Sequence, residues 1–345
     1  MTAPVVNAVR QRIPDLKVTL QSDHPPALLA SRFVSPFTVV PGPGDFGLRM
    51  ASATSIDLVR SAEDYQALHG DFDRRVDDLA RQYRALAPDL LLANVPYLAL
   101  AAAGRIGVPA IAFSCLNWAD LYHHYFGDRP EAAAILAQMR AAYDVADLFL
   151  CPAPSMPMPR LRDVRAIGPI APTGAGQRQR VRDRLGITAD RRLGLVAFGG
   201  VDPGIDMGRW ARLDGWSWVT GAAIAIDGRP DIIPFDWGTM TFTDLLQASD
   251  LVVGKPGYGT FTEAAVNGVP VLYVDRPDWP ESPGLVSWLS DVGRCRAVEP
   301  AMLFEADAFA EQLRLLFSSP IKPLVEPTGI GQAVEAIVAR LEAAS

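Results

Sequence analysis

Short apolar runs alternate with segments of helical period along most of the chain. The runs "KVTL", "FTVV", "DLLLANV", "PAIAFS" and "LFLCP" come first, and "LGLVAFGG", "AIAI", "DLVVG" and "PVLYVD" follow in the second half. Nearly continuous apolar runs suit strands buried on both faces, and their alternation with helices predicts open parallel sheets of a doubly wound α/β protein. Residues 152–180 are rich in Pro and Gly and are the expected boundary between two halves. The predicted domains are 1–170 and 171–328, and 329–345, with "GQAVEAIVARLEAA" at amphipathic spacing, forms a terminal helix packing back toward the first.

Composition narrows the function classes. At 345 residues the chain is long enough for two domains with sizeable cores, and 49% hydrophobic with 21% charged residues is ordinary globular usage. A net charge of −7 argues against a phosphate-backbone partner, so no nucleic acid is expected. Cys115, Cys151 and Cys295 lack CxxC spacing and their odd number suits reduced thiols. The N-terminal residues contain no continuous apolar signal core, and Asn94 and Pro96 interrupt the most apolar stretch, 90–104, so neither an export signal nor a membrane span is predicted and the expected location is cytoplasmic. His24, His69, His123 and His124 match no zinc spacing, and no metal or cofactor is expected.

In open α/β sheets, ligands sit at the carboxyl ends of strands. By that rule 115–124, 199–202, 254–263 and 275–281 are the candidate site segments, expected to face one cleft. "GKPGYGTFTE", 254–263, is no Walker A loop, because Lys255 precedes the turn instead of following it. A dinucleotide fingerprint is weak, since Thr262 stands where the third glycine belongs. What remains is a strand, a tight turn and a helix N-terminus whose free N–H groups suit a phosphate or diphosphate. A second such turn, "LVAFGGVDPG", offers amides from another side of the same sheet. Thr260 and Glu263 also fit a T-x-x-E capping box, and Lys255 also fits a solvated side chain, so both readings stay open.

The stretch "DLVVGKPGYGTFTEAAVNGVPVLYVDRPDWPE", with "FGG" upstream and "SCLNWADLY" in the first half, resembles GT-B glycosyltransferases, in particular the glycosyltransferase-like portion of plant L-arabinokinases and its bacterial relatives. The resemblance covers almost the whole chain and implies two Rossmann-like domains, the second binding a nucleotide sugar. Carried over by motif, it implies that Gly199 and Gly200 approach the diphosphate or sugar, Gly257, Tyr258, Gly259 and Thr260 hold the diphosphate, and Glu263 meets the ribose hydroxyls. It further implies that Asp278 and Glu281 face the donor sugar and that Trp237 contacts the base. Each has a structural alternative. "DWPESPG" also reads as a loop with Ser282 as N-cap and Pro283 at the first helical position, and a loop tryptophan also covers core.

In the first domain, Asn117 and Trp118 are the acceptor-side candidates and Asp120 the one candidate base, against an ordinary capped turn; His123 and His124 read as helix-surface residues. "DFD" at 71–73 lies in an amphipathic helical run and reads as surface acids, not a metal-binding DxD. "GDFG" at 44–47 lacks the motifs that accompany a kinase signature and is set aside. The predicted function is a metal-independent, inverting transfer of a sugar from a nucleotide diphosphate donor, expected to be a uridine diphosphate sugar, to an acceptor hydroxyl. A same-fold epimerase and a non-catalytic nucleotide-sugar sensor are the alternatives.

One feature departs from the family pattern. Val5, Val6, Val9 and Ile13 outline a helix at the start and "LKVTLQS" follows as a strand, so the first, central strand of the N-terminal domain is missing from the pattern, together with the loop that in the family often supplies the base. The expectation is that Met1 is internal to a longer protein; a degraded or repurposed member is the alternative.

Overall fold

The computed structural model describes residues 1–52, 54–199, 206–221, 228–235 and 240–344. Its contacts divide the chain into one unit of Met1–Ala51, Ile56–Ile170 and Thr328–Ser345 and a second of Ser52–Ser55 and Ala171–Pro327. The first unit holds strands β1 (Thr19–Gln21), β2 (Thr38–Val40), β3 (Leu91–Ala93), β4 (Ala110–Phe113), β5 (Leu148–Pro152) and β6 (Val164–Ile167). Its helices are α1 (Thr2–Arg12), α2 (Pro26–Ala30), α3 (Leu58–Gly70), α4 (Phe72–Leu86), α5 (Tyr97–Ile106), α6 (Trp118–Phe126) and α7 (Ala132–Tyr143). The second holds α8 (Arg178–Arg184), β7 (Arg192–Ala197), β8 (Trp216–Gly221), β9 (Ile232–Phe235), α9 (Phe242–Ala248), β10 (Leu251–Gly254) and α10 (Tyr258–Asn267), then β11 (Val271–Tyr273), α11 (Ser282–Val292), β12 (Cys295–Ala297) and α12 (Ala306–Ser318). The last helix, α13 (Gly329–Ala344), returns to the first unit.

All ladders between named strands are parallel, as buried apolar runs separated by helices require. In the first unit β3-β4-β5-β6 form one sheet and β1-β2 a separate pair. Among the described residues no strand joins β1 to β3. β4 is buried along its whole length. Val5 and Val9 of α1 and Ala333, Ile337 and Val338 of α13 close over Ile111, Phe113, Leu150 and Ile167. On α4, Phe72, Val76, Leu79, Ala80 and Tyr83 make the buried stripe, while Asp71 pairs with Arg74 and Asp73 with Arg105 on the outer face. The "DFD" acids are therefore surface partners of arginines.

The second sheet runs β12-β11-β10-β7-β8-β9. Its core stacks Trp218 on Phe309, ring centres 5.2 Å apart, with Trp210, Leu251, Val253 and Leu272 around them. Three strands that the apolar pattern left out, β6, β9 and β12, lie at sheet edges, where a short or polar run is tolerated and Pro234 costs no ladder bond on the open side. β8, also left out, is an interior strand built on tryptophans instead of aliphatic side chains. "AIAI", read as a strand, lies outside the described residues.

Candidate functional site

From β7 the chain fills the sheet in one direction, to β8 and β9, and then returns to the other side of β7 with β10, β11 and β12. The order therefore reverses between β7 and β10. At such a reversal the loops leaving two neighbouring strands part in opposite directions and open a crevice at the carboxyl edge. Gly199 follows β7 and Lys255 follows β10. Gly199 has φ of +89°, a conformation that glycine adopts without strain, and a Cβ there would lie 3.8 Å from Lys255 Cε. The two loops thus meet at the reversal. Gly200 lies outside the described residues, as does Trp237.

Gly257 is the N-cap of α10 and, having no side chain, makes no side-chain cap bond of its own. The first-turn amides and the positive end of the helix macrodipole therefore open beside Lys255. Tyr258 at the first helical position is buried, Gly259 is exposed, and Thr260 is half-buried. Because the helix starts at Tyr258, Thr260 is inside it and Glu263 is six positions in. The capping-box reading is thereby corrected: Glu263 is too far along the helix to reach an N-cap amide. Its carboxylate instead accepts the Thr243 hydroxyl at 2.8 Å, and Glu263 is only 8% exposed.

Lys255 is half-buried. Burial, and the Arg276 guanidinium as a second cause, push its amine down from the usual 10.5 to about 8. Arg276 was not singled out by the sequence pattern. It follows β11, whose pairing with β10 extends to a Val274 N–H donating to the Gly254 carbonyl at 2.8 Å. Arg276 is 7% exposed, its guanidinium lies 4.3 Å above the centre of the Trp279 ring, and its backbone N–H donates to Asp275 Oδ1 at 2.8 Å.

The loop then turns into α11. Asp278 is exposed. Glu281 is buried, accepts the Trp279 indole N–H at 3.2 Å and occupies the N-cap position. Ser282 does not cap α11, contrary to the loop reading. It is the first helical residue, with Pro283 next, and its Oγ is buried without a hydrogen-bond partner.

In the first unit, Asn117 is the N-cap of α6: its Oδ1 accepts the Asp120 N–H at 2.8 Å and its Nδ2 donates to Asp120 Oδ2 at 2.9 Å. The other Asp120 oxygen faces Arg160 at 3.5 Å. The Trp118 N–H donates to the Tyr143 hydroxyl, which donates to the Val95 carbonyl. His123 and His124 are exposed on α6. The set-aside "GDFG" stretch turns out to pack here. A Cβ on Gly47 would fall 2.1 Å from the Trp118 ring, so only glycine lets the indole lie against this loop. Asp45 Oδ2 accepts the Leu98 N–H at 3.1 Å, serving the N-terminus of α5 from a distant part of the chain. Part of Asp45 stays accessible, yet enough protein surrounds it that desolvation lifts its carboxyl from 3.8 to about 6, against the pull of the amides of Leu98 and Tyr97.

A cavity of about 540 Å³ at the opposite, amino edge of the second sheet is lined by Arg192, Trp216, Arg314 and Phe317, and includes neither Lys255 nor Glu263. Among the described residues, no group of three or more His, Cys, Asp or Glu side chains could hold a metal ion, and no helix is long and apolar enough to cross a membrane.

No protein-family model matches the chain. L-arabinokinase of Arabidopsis thaliana is 27% identical over 250 residues, a match covering 71% of this chain and 24% of that protein. The chain therefore matches about a quarter of the relative's length. The crystal structure of the glycotransferase of kitacinnamycin superposes with a TM-score of 0.62 at 17% identity, covering 99% of this chain and 91% of that one. Arabidopsis thaliana UGT89C1 complexed with UDP gives a TM-score of 0.55 at 15% identity, covering 98% and 95%. These likenesses establish the fold: the chain resembles GT-B glycosyltransferases, with two α/β units built on parallel sheets.

Proposed function

We propose that the protein transfers a sugar from a nucleoside diphosphate sugar to an acceptor hydroxyl, without a metal and with inversion at the anomeric carbon. One observation carries the reading: the Gly199 turn, Lys255 and the Gly257-led start of α10 converge at the strand-order reversal between β7 and β10. The likeness in fold to a UDP complex supports uridine diphosphate as the carrier. In this scheme Gly199 and Gly200 come close to the diphosphate and sugar, and the turn from Gly257 to Thr260 presents amides to the diphosphate. Lys255 adds positive charge, Glu263 receives the ribose hydroxyls, Trp237 covers the base, and Asp278 and Glu281 face the sugar. Asn117 and Trp118 belong to the acceptor side.

Transfer breaks the bond between the anomeric carbon and the diphosphate oxygen, which leaves with the electron pair. The acceptor oxygen forms the new bond and gives up its proton. Asp120, kept in place by Asn117 and faced by Arg160, is the base assigned to that proton. The charge growing on the leaving diphosphate is met by fixed amides, a helix end and Lys255, all oriented before reaction. The test is turnover of a panel of nucleotide sugars against hydroxylated acceptors, read as acceptor-dependent release of nucleoside diphosphate and a mass gain of one sugar on the acceptor. Conversion of the donor to its epimer, with no free nucleotide, would replace this reading by an epimerase.

A further inference from the structure

In the first unit, two carboxylates meet around one tyrosine. β3 and β4 are parallel neighbours, so α5 and α6, which follow them, both start at the carboxyl edge of the sheet, at adjacent strand ends. Asp45 serves the start of α5 through the Leu98 N–H, and Asp120 lies in the first turn of α6. Tyr143 ties the two starts together: its hydroxyl accepts the Trp118 N–H at 3.1 Å and donates at 2.9 Å to the carbonyl of Val95, just ahead of α5. Burial first, and then the charges of Asp45 and Asp120 among others, hold that hydroxyl in its protonated form, so both carboxylates lie close enough to act on it. The Trp118 ring makes a further link, because it rests against Gly47, two residues beyond Asp45.

This arrangement is set before any ligand arrives. Val95 has φ of +78°, which a β-branched residue keeps only where its surroundings compel it. The Tyr65 hydroxyl donates to the Gly47 carbonyl, and its ring lies 4.6 Å from that of Phe46, so the loop of Asp45 is held from behind. The two carboxylates differ in their partners. Asp120 has the Asn117 side chain and the Arg160 guanidinium. Asp45 has backbone amides, those of Leu98 and Tyr97 and its own, and among the described residues no cation pairs with it. Its charge acts on the hydroxyls of Tyr65, Tyr83, Tyr97 and Tyr143, beyond what burial does to each. A carboxylate offers about four lone-pair positions, so three amides leave room for another donor, and Asp45 is partly accessible. Trp118, also partly accessible, offers an apolar ring beside it.

We propose that Asp45 and Asp120 form a two-carboxylate acceptor seat that selects molecules carrying at least two hydroxyls on one ring, as sugars and cyclic polyols do. Asp120 takes the proton of the hydroxyl that reacts, Asp45 accepts a hydrogen bond from a second hydroxyl, and Trp118 covers the carbons between them. No bond is made or broken at Asp45. The inference rests on the transfer reading above and adds to it a residue, Asp45, and a class of acceptor. A site group aimed at a substrate hydroxyl discriminates strongly against an analogue that lacks it, because the group is then left unpaired.

The seat is tested by steady-state kinetics with the nucleotide sugar that wild type turns over fastest. The acceptors are cyclohexanol, the cyclohexane-1,2-, 1,3- and 1,4-diols and trans-2-aminocyclohexanol, and the proteins are wild type, Asp45→Asn and Asp45→Ser. Urea unfolding establishes that each variant is folded, and Asp45→Ser removes the charge while keeping an oxygen should Asp45→Asn fail to fold. In wild type, kcat/KM for at least one diol should exceed that for cyclohexanol by at least about tenfold, the effect of one hydrogen bond to a charged group. The variants should cut this ratio at least about fivefold through acceptor KM, with donor KM held within about twofold. No transfer to these or any other hydroxylated acceptor overturns the transfer reading, and this inference with it. Transfer confined to acceptors with a single hydroxyl, preference for the amino alcohol over every diol, or a diol-to-cyclohexanol ratio that survives in the variants overturns the seat alone and leaves the transfer reading standing.

Discussion

Glu263 in α10 accepts the hydroxyl of Thr243 in α9 at 2.8 Å, and this contact fixes a buried carboxylate six residues into a helix that its sequence motif had placed at the cap. On the donor reading, this same carboxylate meets the ribose hydroxyls. Glu263→Ala should weaken nucleoside diphosphate binding by more than tenfold, the loss expected when a charged hydrogen-bond acceptor worth about 1.5–3 kcal/mol is removed. Thr243→Val should weaken it less, about two- to fivefold, by releasing the orientation alone. Calorimetry on both variants checks the order; equal affinities for wild type and Glu263→Ala would remove Glu263 from the site.

Lys255 makes binding pH-dependent with a defined sign. Its amine is depressed to about 8, so below that pH it is charged and above it neutral. Diphosphate affinity should be flat around pH 7, where the terminal phosphate (second pKa about 6) is ionised, and fall as pH rises through about 8, and that fall should vanish in Lys255→Met. Stability runs the other way. A lysine depressed from 10.5 contributes its full stability only above 10.5 and loses it as pH falls through about 8. Lys255→Met should therefore be more stable than wild type at pH 7, by on the order of 1 kcal/mol for a half-buried group, while binding more weakly.

Asp45 carries the complementary prediction. Its carboxyl is raised to about 6, so the folded state holds the proton more firmly than the unfolded chain. The stability it contributes is complete below 3.8 and is lost as pH rises through about 6. Asp45→Asn keeps an oxygen for the Leu98 amide and removes the charge. The variant should match wild type near pH 4 and exceed it at pH 7.5 by about 1–3 kcal/mol in urea unfolding. A variant less stable at pH 7.5 would show that the ionised carboxylate is needed at the start of α5.

Asp120 separates chemistry from capping. In Asp120→Asn the Asn117 bond survives, because the amide oxygen still accepts, so stability should change by less than about 1 kcal/mol. As the base, it should cost at least about a hundredfold in kcat with donor KM unchanged. Steady-state kinetics over the nucleotide-sugar concentration decides this, and an unchanged kcat assigns Asp120 to the cap of α6 alone.

Interior strands such as β4 and β10 were legible because burial on both faces leaves an uninterrupted apolar signature. Edge strands were not, since β6 exposes three of its four residues and β12 has only three, a length and polarity shared with loops. The site was half legible. Glycines after a strand announce a turn, which drew attention to Gly199 and Gly257, and a lone lysine beside one draws it to Lys255. Arg276 carries no such mark, because its role depends on β11 lying beside β10, a tertiary fact. Asp45 was passed over for the same reason, as the helix end it serves begins more than fifty residues later. Ser282 and Thr260 misled because local capping grammar fits several registers, and packing shifted the start of each helix by one to three residues.

The most direct measurement is a crystal structure of the protein with UDP. The predicted result places the diphosphate at the carboxyl ends of β7 and β10, within hydrogen-bond distance of the Gly257–Thr260 amides and of Lys255 Nζ, with the ribose hydroxyls on Glu263. UDP bound elsewhere, or a site left empty at millimolar UDP, would contradict it.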